Sequence, residues 1–178
     1  PFNYTNADVV GHDYPEAKDL AEVWVAQLKT LELPNTGMAV TTDITELYDI
    51  HPTNKQAVGK RLALWALAKD YGKSGLVYSG PLYKGIQVDG GRILVSFDSI
   101  GSGLASRDGE PLNWFEIAGG DGVFKKAEAR IEGDRVVVSS PEVAHPEAVR
   151  FGWHELAIPN LMNREGLPAS PFNSGMLP

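Results

Sequence analysis

The hydrophobic pattern of this chain changes period near residues 72–75, and this change limits the folds that the chain can adopt. Before it, apolar residues recur every three or four positions in two stretches, which predicts amphipathic helices over about residues 16–31 and 54–71. After it, apolar and polar residues alternate around tight turns, which predicts β-hairpins. The sequence therefore predicts two domains, residues 1–73 and residues 74–178.

The first predicted domain has the element order of an α/β unit. Residues 38–42 are short, apolar and β-branched, which predicts a buried strand between the two helices. In open α/β sheets the functional groups gather at the carboxyl ends of strands, where the loop after this strand would lie. Thr53 to Gln56 match a capping box that makes Thr53 the N-cap of the second helix, and Gly72 is placed to end that helix.

The second predicted domain contains seven or eight short strands, with the turn spacing typical of a β-sandwich. Two hairpins are predicted, one around Asp89-Gly90-Gly91 and one around Glu132-Gly133-Asp134, with further strands near 114–117 and 149–151. The tail, residues 153–178, has little periodicity. Because its backbone polar groups still need partners, we expect an ordered loop across the junction between the two domains.

A carboxylate and an imidazole lie two positions apart in Asp49-Ile50-His51-Pro52, just before the second helix. Side chains at i and i+2 of an extended segment point the same way, so Asp49 can orient His51. The other ring nitrogen would then be free to act as a general base. The alternative is that His51 only caps or packs near the helix, because the spacing alone does not separate these roles.

Five segments carry a family resemblance: 38–44 (MAVTTDI), 49–63 (DIHPTNKQAVGKRLA), 79–83 (SGPLY), 101–104 (GSGL) and 163–172 (NREGLPASPF). They resemble the sialate O-acetylesterases, which are SGNH-type carbohydrate esterases, and they span nearly the whole chain. The resemblance implies the C-terminal part of a flavodoxin-like, three-layer α/β hydrolase domain in residues 1–73. An all-β sandwich-like accessory domain would follow in residues 74–178.

The resemblance also implies roles for individual residues in a Ser-His-Asp mechanism that hydrolyses acetyl esters on a sugar, a sialic acid or a related glycan. His51 matches the family's general base and Asp49 its acid. Many SGNH enzymes place the acid three residues before the histidine, whereas here the spacing is two. Asp43, at the end of the predicted strand, is therefore the alternative acid.

The family's nucleophilic serine lies in an early Gly-rich turn, and no such block occurs in these 178 residues. Phe97-Asp98-Ser99 is the nearest candidate, but it lacks the Gly-x-Ser-x-Gly elbow. We therefore expect the upstream part of a longer enzyme to supply the serine, and this chain alone to be inactive. The resemblance alone favours a periplasmic or secreted location.

Composition argues against several other classes of protein. The formal net charge is -7 without a basic patch, which predicts no nucleic-acid partner. No cysteine is present for a disulfide or a thiol nucleophile, and no apolar run approaches the ~20 residues that span a bilayer. His12 and His154, each beside an acidic residue, lack zinc-like spacing, so neither a metal nor a cofactor is predicted.

The alternative function is a non-catalytic β-sandwich module that binds glycan or braces the catalytic domain. Glycan binding would need exposed aromatic side chains, for which Trp114 and Trp153 are the candidates. We expect both indoles to lie in the core. Trp24 and Trp65, on the apolar faces of the predicted helices, are also expected in the core.

Overall fold

The computed structural model of the protein describes residues 19–47, 49 and 51–177. In these residues two helices precede a region rich in β-structure. The helices are α1 (Asp19–Lys29), followed by one 3-10 turn (Thr30–Glu32), and α2 (Lys55–Lys69). The strands are β1 (Leu82–Asp89), β2 (Arg92–Asp98), β3 (Leu104–Ser106), β4 (Phe115–Ala118), β5 (Lys125–Lys126), β6 (Glu128–Glu132), β7 (Arg135–Ser139), β8 (Ala148–Phe151), β9 (Leu161–Asn163) and β10 (Phe172–Asn173).

The strands form three antiparallel sheets in the described part of the chain. One sheet has the order β1-β2-β7-β6, a second has the order β10-β8-β4-β5, and β3 pairs with β9. Both predicted hairpins are present, as the β1–β2 and β6–β7 pairs. Their turns place Gly90 and Gly133 at φ values of 60° and 59°, where a Cβ atom would be unfavourable.

The two four-stranded sheets contribute side chains to one hydrophobic core. Along β2 every second residue is buried, and the buried positions Ile93, Val95 and Phe97 meet apolar residues of the second sheet. Phe172 of β10 lies at the centre, with its ring stacked on Tyr83 at 4.7 Å. Burial of each large apolar side chain contributes about 1.5–3 kcal/mol, so this core is the main source of stability for the β region.

The predicted strand at residues 38–42 is wrong, because these residues are extended but pair with no strand among the described residues. Val40, Thr41 and Thr42 are buried, as a strand would be. The carbonyl of Val40, however, accepts a hydrogen bond from the Arg61 side chain of α2. A helix side chain therefore takes the place of a neighbouring strand, and no parallel sheet is seen within the described residues.

Helix α2 begins one residue later than the capping-box pattern predicts. Its N-cap is Asn54, whose Oδ1 accepts the Ala57 N–H at 3.0 Å. The predicted N-cap, Thr53, instead donates its hydroxyl to Glu46. At the other end the helix stops at Lys69 with Asp70 as its C-cap, slightly before the predicted end at residue 71. Gly72 follows with a φ of 62°, and the Lys73 N–H bonds to the Leu67 carbonyl, so the glycine lies in the turn after the helix.

Part of the first predicted helix lies outside the described residues. The predicted helix over residues 16–31 is observed from Asp19, whereas residues 16–18 and His12 fall outside the described ranges. Neither α1 nor α2 combines the length and the apolar composition that a membrane crossing needs, and the described residues contain no other α-helix.

Buried polar contacts order the tail. The side chain of Asn163 is fully buried, and its Nδ2 donates to the carbonyls of Ser79 at 3.0 Å and Ser99 at 3.3 Å. Its Oδ1 accepts the Leu167 N–H at 2.9 Å. A single asparagine therefore joins three segments, and its side chain satisfies backbone groups that lie outside the sheets.

The tail also contacts both the strands and the first helix. It passes so close to Gly80 that a Cβ there would lie 2.0 Å from the Pro168 carbonyl oxygen, so only glycine fits. The buried indole of Trp153 packs with Trp24 of α1. The segment without periodicity therefore contributes β9 and β10 to the sheets and attaches α1 to the β region.

Candidate active-site loop

The loop before α2 is closed by its own hydrogen bonds. The Asp49 N–H donates to the Glu46 carbonyl at 3.1 Å. The Glu46 carboxylate accepts the backbone N–H of Thr53 at 3.2 Å and its hydroxyl at 2.6 Å. Glu46 therefore joins the two arms of the loop and holds the segment with Asp49 and His51 between them.

Within this loop the carboxylate of Asp49 and the ring of His51 face one another, as the spacing predicts. Asp49 Oδ1 lies 3.0 Å from His51 Nδ1 and accepts the His51 backbone N–H at 2.8 Å. The carboxylate oxygen places the ring hydrogen on Nδ1, which leaves the Nε2 lone pair available in the neutral ring. The His51 side chain is 78% exposed, and Nε2 has no hydrogen-bond partner among the described residues. His51 does not cap α2, since Asn54 does.

The same contacts set the charge of the acid. The backbone N–H of His51 and then its ring lower the pKa of the Asp49 carboxyl below its ordinary value of 3.8. At neutral pH Asp49 is therefore a carboxylate, which can orient the ring and stabilise an imidazolium.

The alternative acid, Asp43, belongs to a different pair. Its two carboxylate oxygens accept hydrogen bonds from Arg61 Nη1 at 2.7 Å and Nη2 at 2.6 Å, and both side chains are about nine-tenths buried. Such a bidentate pair is strong and geometrically specific. Asp43 therefore fixes the start of the loop to α2, while Asp49 is the acid that contacts His51.

Sequence reasoning missed Arg61, although the helix pattern carries a signal for it. Arg61 follows Val58 by three residues and precedes Trp65 by four, which places it on the apolar stripe of α2. A charge on such a stripe indicates a buried partner, because an unpaired buried charge is highly unfavourable. Among the residues of α2, all of which are described, only Arg61 is buried.

A second missed residue, Arg107, connects the candidate loop to the β region. Its Nη1 donates to the Asp43 carbonyl at 3.4 Å, and its backbone N–H donates to the Asn160 carbonyl at 2.8 Å. The sequence gives no signal for this contact, since the two segments are far apart along the chain.

The described residues do not complete a triad. None of the described serines makes a hydrogen bond with His51, and Asp98 of the Phe97-Asp98-Ser99 motif is paired with Lys84 at 2.8 Å. A groove of about 460 Å³ between α2 and the tail is lined by Arg61, Val77 and Leu167, among others, but not by Asp49 or His51. Across the described ranges, no cluster of three or more His, Asp and Glu side chains could hold a metal ion.

The four tryptophans differ in burial. Trp24 and Trp153 are buried, as predicted. Trp65 is half-buried, with its ring edge-on to Tyr78 at 4.7 Å between centroids. The predicted burial of Trp114 is wrong, because this residue is 40% exposed just before β4.

No family model matches the chain. Two curated relatives are the sialate O-acetylesterases of Mus musculus, 43% identical over 61 residues, and of Homo sapiens, 41% identical over 61 residues. Each match covers 32% of this chain, and it covers 11% of the mouse protein and 12% of the human one. The chain therefore matches only about a tenth of the length of these relatives.

The fold is similar to that of a solved carbohydrate acetylesterase from Xanthomonas citri. The two share 48% sequence identity with a TM-score of 0.87, over 96% of this chain and 39% of the solved chain. The predicted resemblance is thus confirmed, and the chain is related to the sialate O-acetylesterases and, over nearly its whole length, to part of a carbohydrate acetylesterase.

Proposed function

We propose that this chain supplies the general base of a carbohydrate O-acetylesterase, which hydrolyses acetyl esters on a sialic acid or a related glycan. The 3.0 Å contact between Asp49 Oδ1 and His51 Nδ1 carries the proposal. The relatives, which are named as acetylesterases, support the reaction class. His51 is the base and Asp49 is the residue that positions it.

The chemistry follows from the orientation of the ring. A serine oxygen attacks the acetyl carbonyl carbon while His51 Nε2 accepts the hydroxyl proton. The imidazolium, stabilised by the Asp49 carboxylate, then gives this proton to the sugar oxygen as the ester bond breaks. A water molecule then attacks the carbonyl carbon of the acetyl-serine by the same two proton transfers through His51, which releases acetate and restores the serine.

We also propose that the serine and the oxyanion donors lie in a part of the enzyme outside these 178 residues. No described serine contacts His51, and the chain matches 39% of the solved acetylesterase. On α2, Leu62 and Leu67 are exposed apolar side chains. This exposure is expected if the remainder of a three-layer α/β domain packs against this helix. Residues 74–178 would then form the accessory β-sandwich domain, since both four-stranded sheets share one core.

The 178-residue chain alone should release no more acetate than its His51→Ala variant does. A base without a nucleophile and oxyanion donors has nothing to deprotonate. The measurement is acetate release from an aryl acetate and from an O-acetylated sialic acid. If the chain turns over both substrates and the variant does not, then the serine lies within these residues and its proposed location is wrong.

In an enzyme that contains this chain, Asp49→Asn should lower kcat by about 10³–10⁴-fold. The amide can donate to Nδ1, which puts the ring hydrogen on Nε2 and removes the base. Steady-state kinetics on the O-acetylated sugar measure the effect, with an expected fall in kcat and little change in KM.

Asp89→Asn is the matched control, because Asp89 is also an exposed carboxylate that accepts a side-chain hydrogen bond, here from Arg92. It should leave kcat unchanged. Equal kcat values for the two variants would exclude Asp49 as the residue that positions His51.

A further inference from the structure

We propose that Trp114 and His154 form a second carbohydrate-binding surface, which holds an uncharged sugar ring of a glycan apart from Asp49 and His51. The arrangement of Trp114 and His154 does not depend on the proposed function, whereas the choice of a sugar as the ligand rests on the proposed esterase function. The two side chains come from separate segments, one just before β4 and the other just after β8.

The backbone of Trp114 indicates a functional role. Its φ is 59°, in the left-handed region that bulky side chains rarely adopt. Trp114 is 40% exposed, so its packing compensates for only part of this strain. Strained residues that a fold retains cluster at binding and catalytic sites, so this outlier points to a ligand.

A buried network fixes the conformation of Trp114 from both sides. The Asn113 N–H donates to Asn160 Oδ1 at 3.1 Å, and the Asn160 N–H donates to Asn113 Oδ1 at 3.0 Å. Asn160 is almost fully buried, and its Nδ2 also donates to Asp108 Oδ1 at 2.9 Å. The Trp114 carbonyl accepts the Gly152 N–H at 2.9 Å. The backbone that carries the indole is therefore set before a ligand arrives, which reduces the ordering entropy lost on binding.

His154 supplies a hydrogen-bond donor beside the indole. The two ring centroids are 5.9 Å apart, and the planes differ by 31°. Nδ1 of His154 accepts the Leu156 N–H at 3.0 Å, so the ring hydrogen lies on Nε2. A pyranose ring has an apolar C–H face and a hydroxyl rim, which match an indole face beside an N–H donor.

The charge around this surface favours an uncharged sugar. The segments 106–114 and 152–158 contain three acidic residues, Asp108, Glu110 and Glu155, and one basic residue, Arg107. Hydrogen bonds from Asn160 and then Ser106 lower the pKa of Asp108, which keeps it ionised at neutral pH. The Arg107 guanidinium donates to the Asp43 carbonyl. A net negative charge repels the carboxylate of a sialic acid.

The contact of Arg107 with Asp43 also relates this surface to the candidate active-site loop. Residues 106–114 run from this contact to Trp114, and Asp43 begins the loop that carries Asp49 and His51. The segment that carries Trp114 is therefore in contact, through Arg107, with the start of the loop that carries Asp49 and His51.

The test is a titration of the ¹⁵N-labelled chain with xylohexaose and cellohexaose, which are uncharged, and with lactose and sialyllactose, which differ only in the sialic acid. The chain has four indole N–H signals, and the Trp114→Gly variant assigns one by its loss. We expect that signal to shift with an uncharged probe at millimolar concentration, while the other three indole signals stay in place. In Trp114→Gly the His154 ring signals should no longer shift, and affinity should fall at least about tenfold.

Tyr71→Ala is the matched control, because Tyr71 is an aromatic residue that is 75% exposed shortly after α2. It should bind as the unmodified chain does. The proposed binding surface is contradicted if the Trp114 signal does not shift with either uncharged hexaose. It is also contradicted if Trp114→Gly binds as tightly as the unmodified chain. A larger shift with sialyllactose than with lactose overturns its preference for uncharged rings. No acetyl group is cleaved in this titration. A negative result would therefore not bear on the esterase proposal, which the Asp49→Asn kinetics test separately.

Discussion

His51→Ala should lower kcat by at least about 10³-fold in an enzyme that contains this chain, because the residues of a triad act as a unit. Alanine removes the group that accepts the nucleophile's proton and returns it to the leaving sugar oxygen. The measurement is acetate release from an O-acetylated sugar at saturating substrate. The unfolding temperature should hardly change. The His51 side chain is 78% exposed, so its deletion removes little packing.

His145→Ala is the control for this experiment. His145 is an exposed histidine in the connection between β7 and β8, so its loss should leave kcat unchanged. Turnover by the His51→Ala enzyme at the wild-type rate would show that the loop does not contain the base.

Arg61→Ala should lower the free energy of unfolding by about 3–5 kcal/mol, the usual effect of removing one partner from a buried ion pair. The change leaves the Asp43 carboxylate without its bidentate partner, and it also leaves the Val40 carbonyl without its donor. The measurement is urea denaturation followed by circular dichroism at a wavelength that reports helix. Because Asp43 begins the loop that carries His51, kcat of the enzyme should fall as well.

Arg92→Ala removes a second Arg–Asp pair as the matched comparison. Arg92 Nη2 lies 2.6 Å from Asp89, a contact as short as that of Arg61, but both side chains are about half exposed. Water screens such a pair, so its loss should change the free energy of unfolding by no more than about 1 kcal/mol. Equal effects of the two substitutions would contradict the view that burial makes the Arg61 pair important.

Local features were predictable where the sequence contains the whole cause. The two hairpins could be predicted, because the alternating apolar residues and the turn glycines lie within a few residues of each other. The Asp49–His51 contact could also be predicted, because two side chains at positions i and i+2 can meet where the local backbone is extended. Both features depend on contacts between residues that are close in sequence.

Features that depend on distant partners were not predictable. Thr53 and Asn54 are both good N-caps, and the choice falls on Asn54 because Glu46 takes the Thr53 hydroxyl. An apolar run such as residues 38–42 fits a strand or a buried extended segment equally well. Here the segment is extended without a strand partner among the described residues, because the Arg61 side chain bonds to the Val40 carbonyl. The exposure of Trp114 could not be read from hydrophobicity, because it follows from a left-handed backbone fixed by Asn160, a residue distant in sequence.

The position of Phe172 bears on the order in which this chain folds. Its ring contacts Tyr83, Phe97 and Phe151, so the core of the first strands includes a residue from close to the end of the chain. Contacts between residues so far apart require closure of a long loop and slow the folding of β-rich domains. During synthesis the early strands emerge from the ribosome with a gap where Phe172 will lie, and they remain open to contact with other chains until β10 arrives.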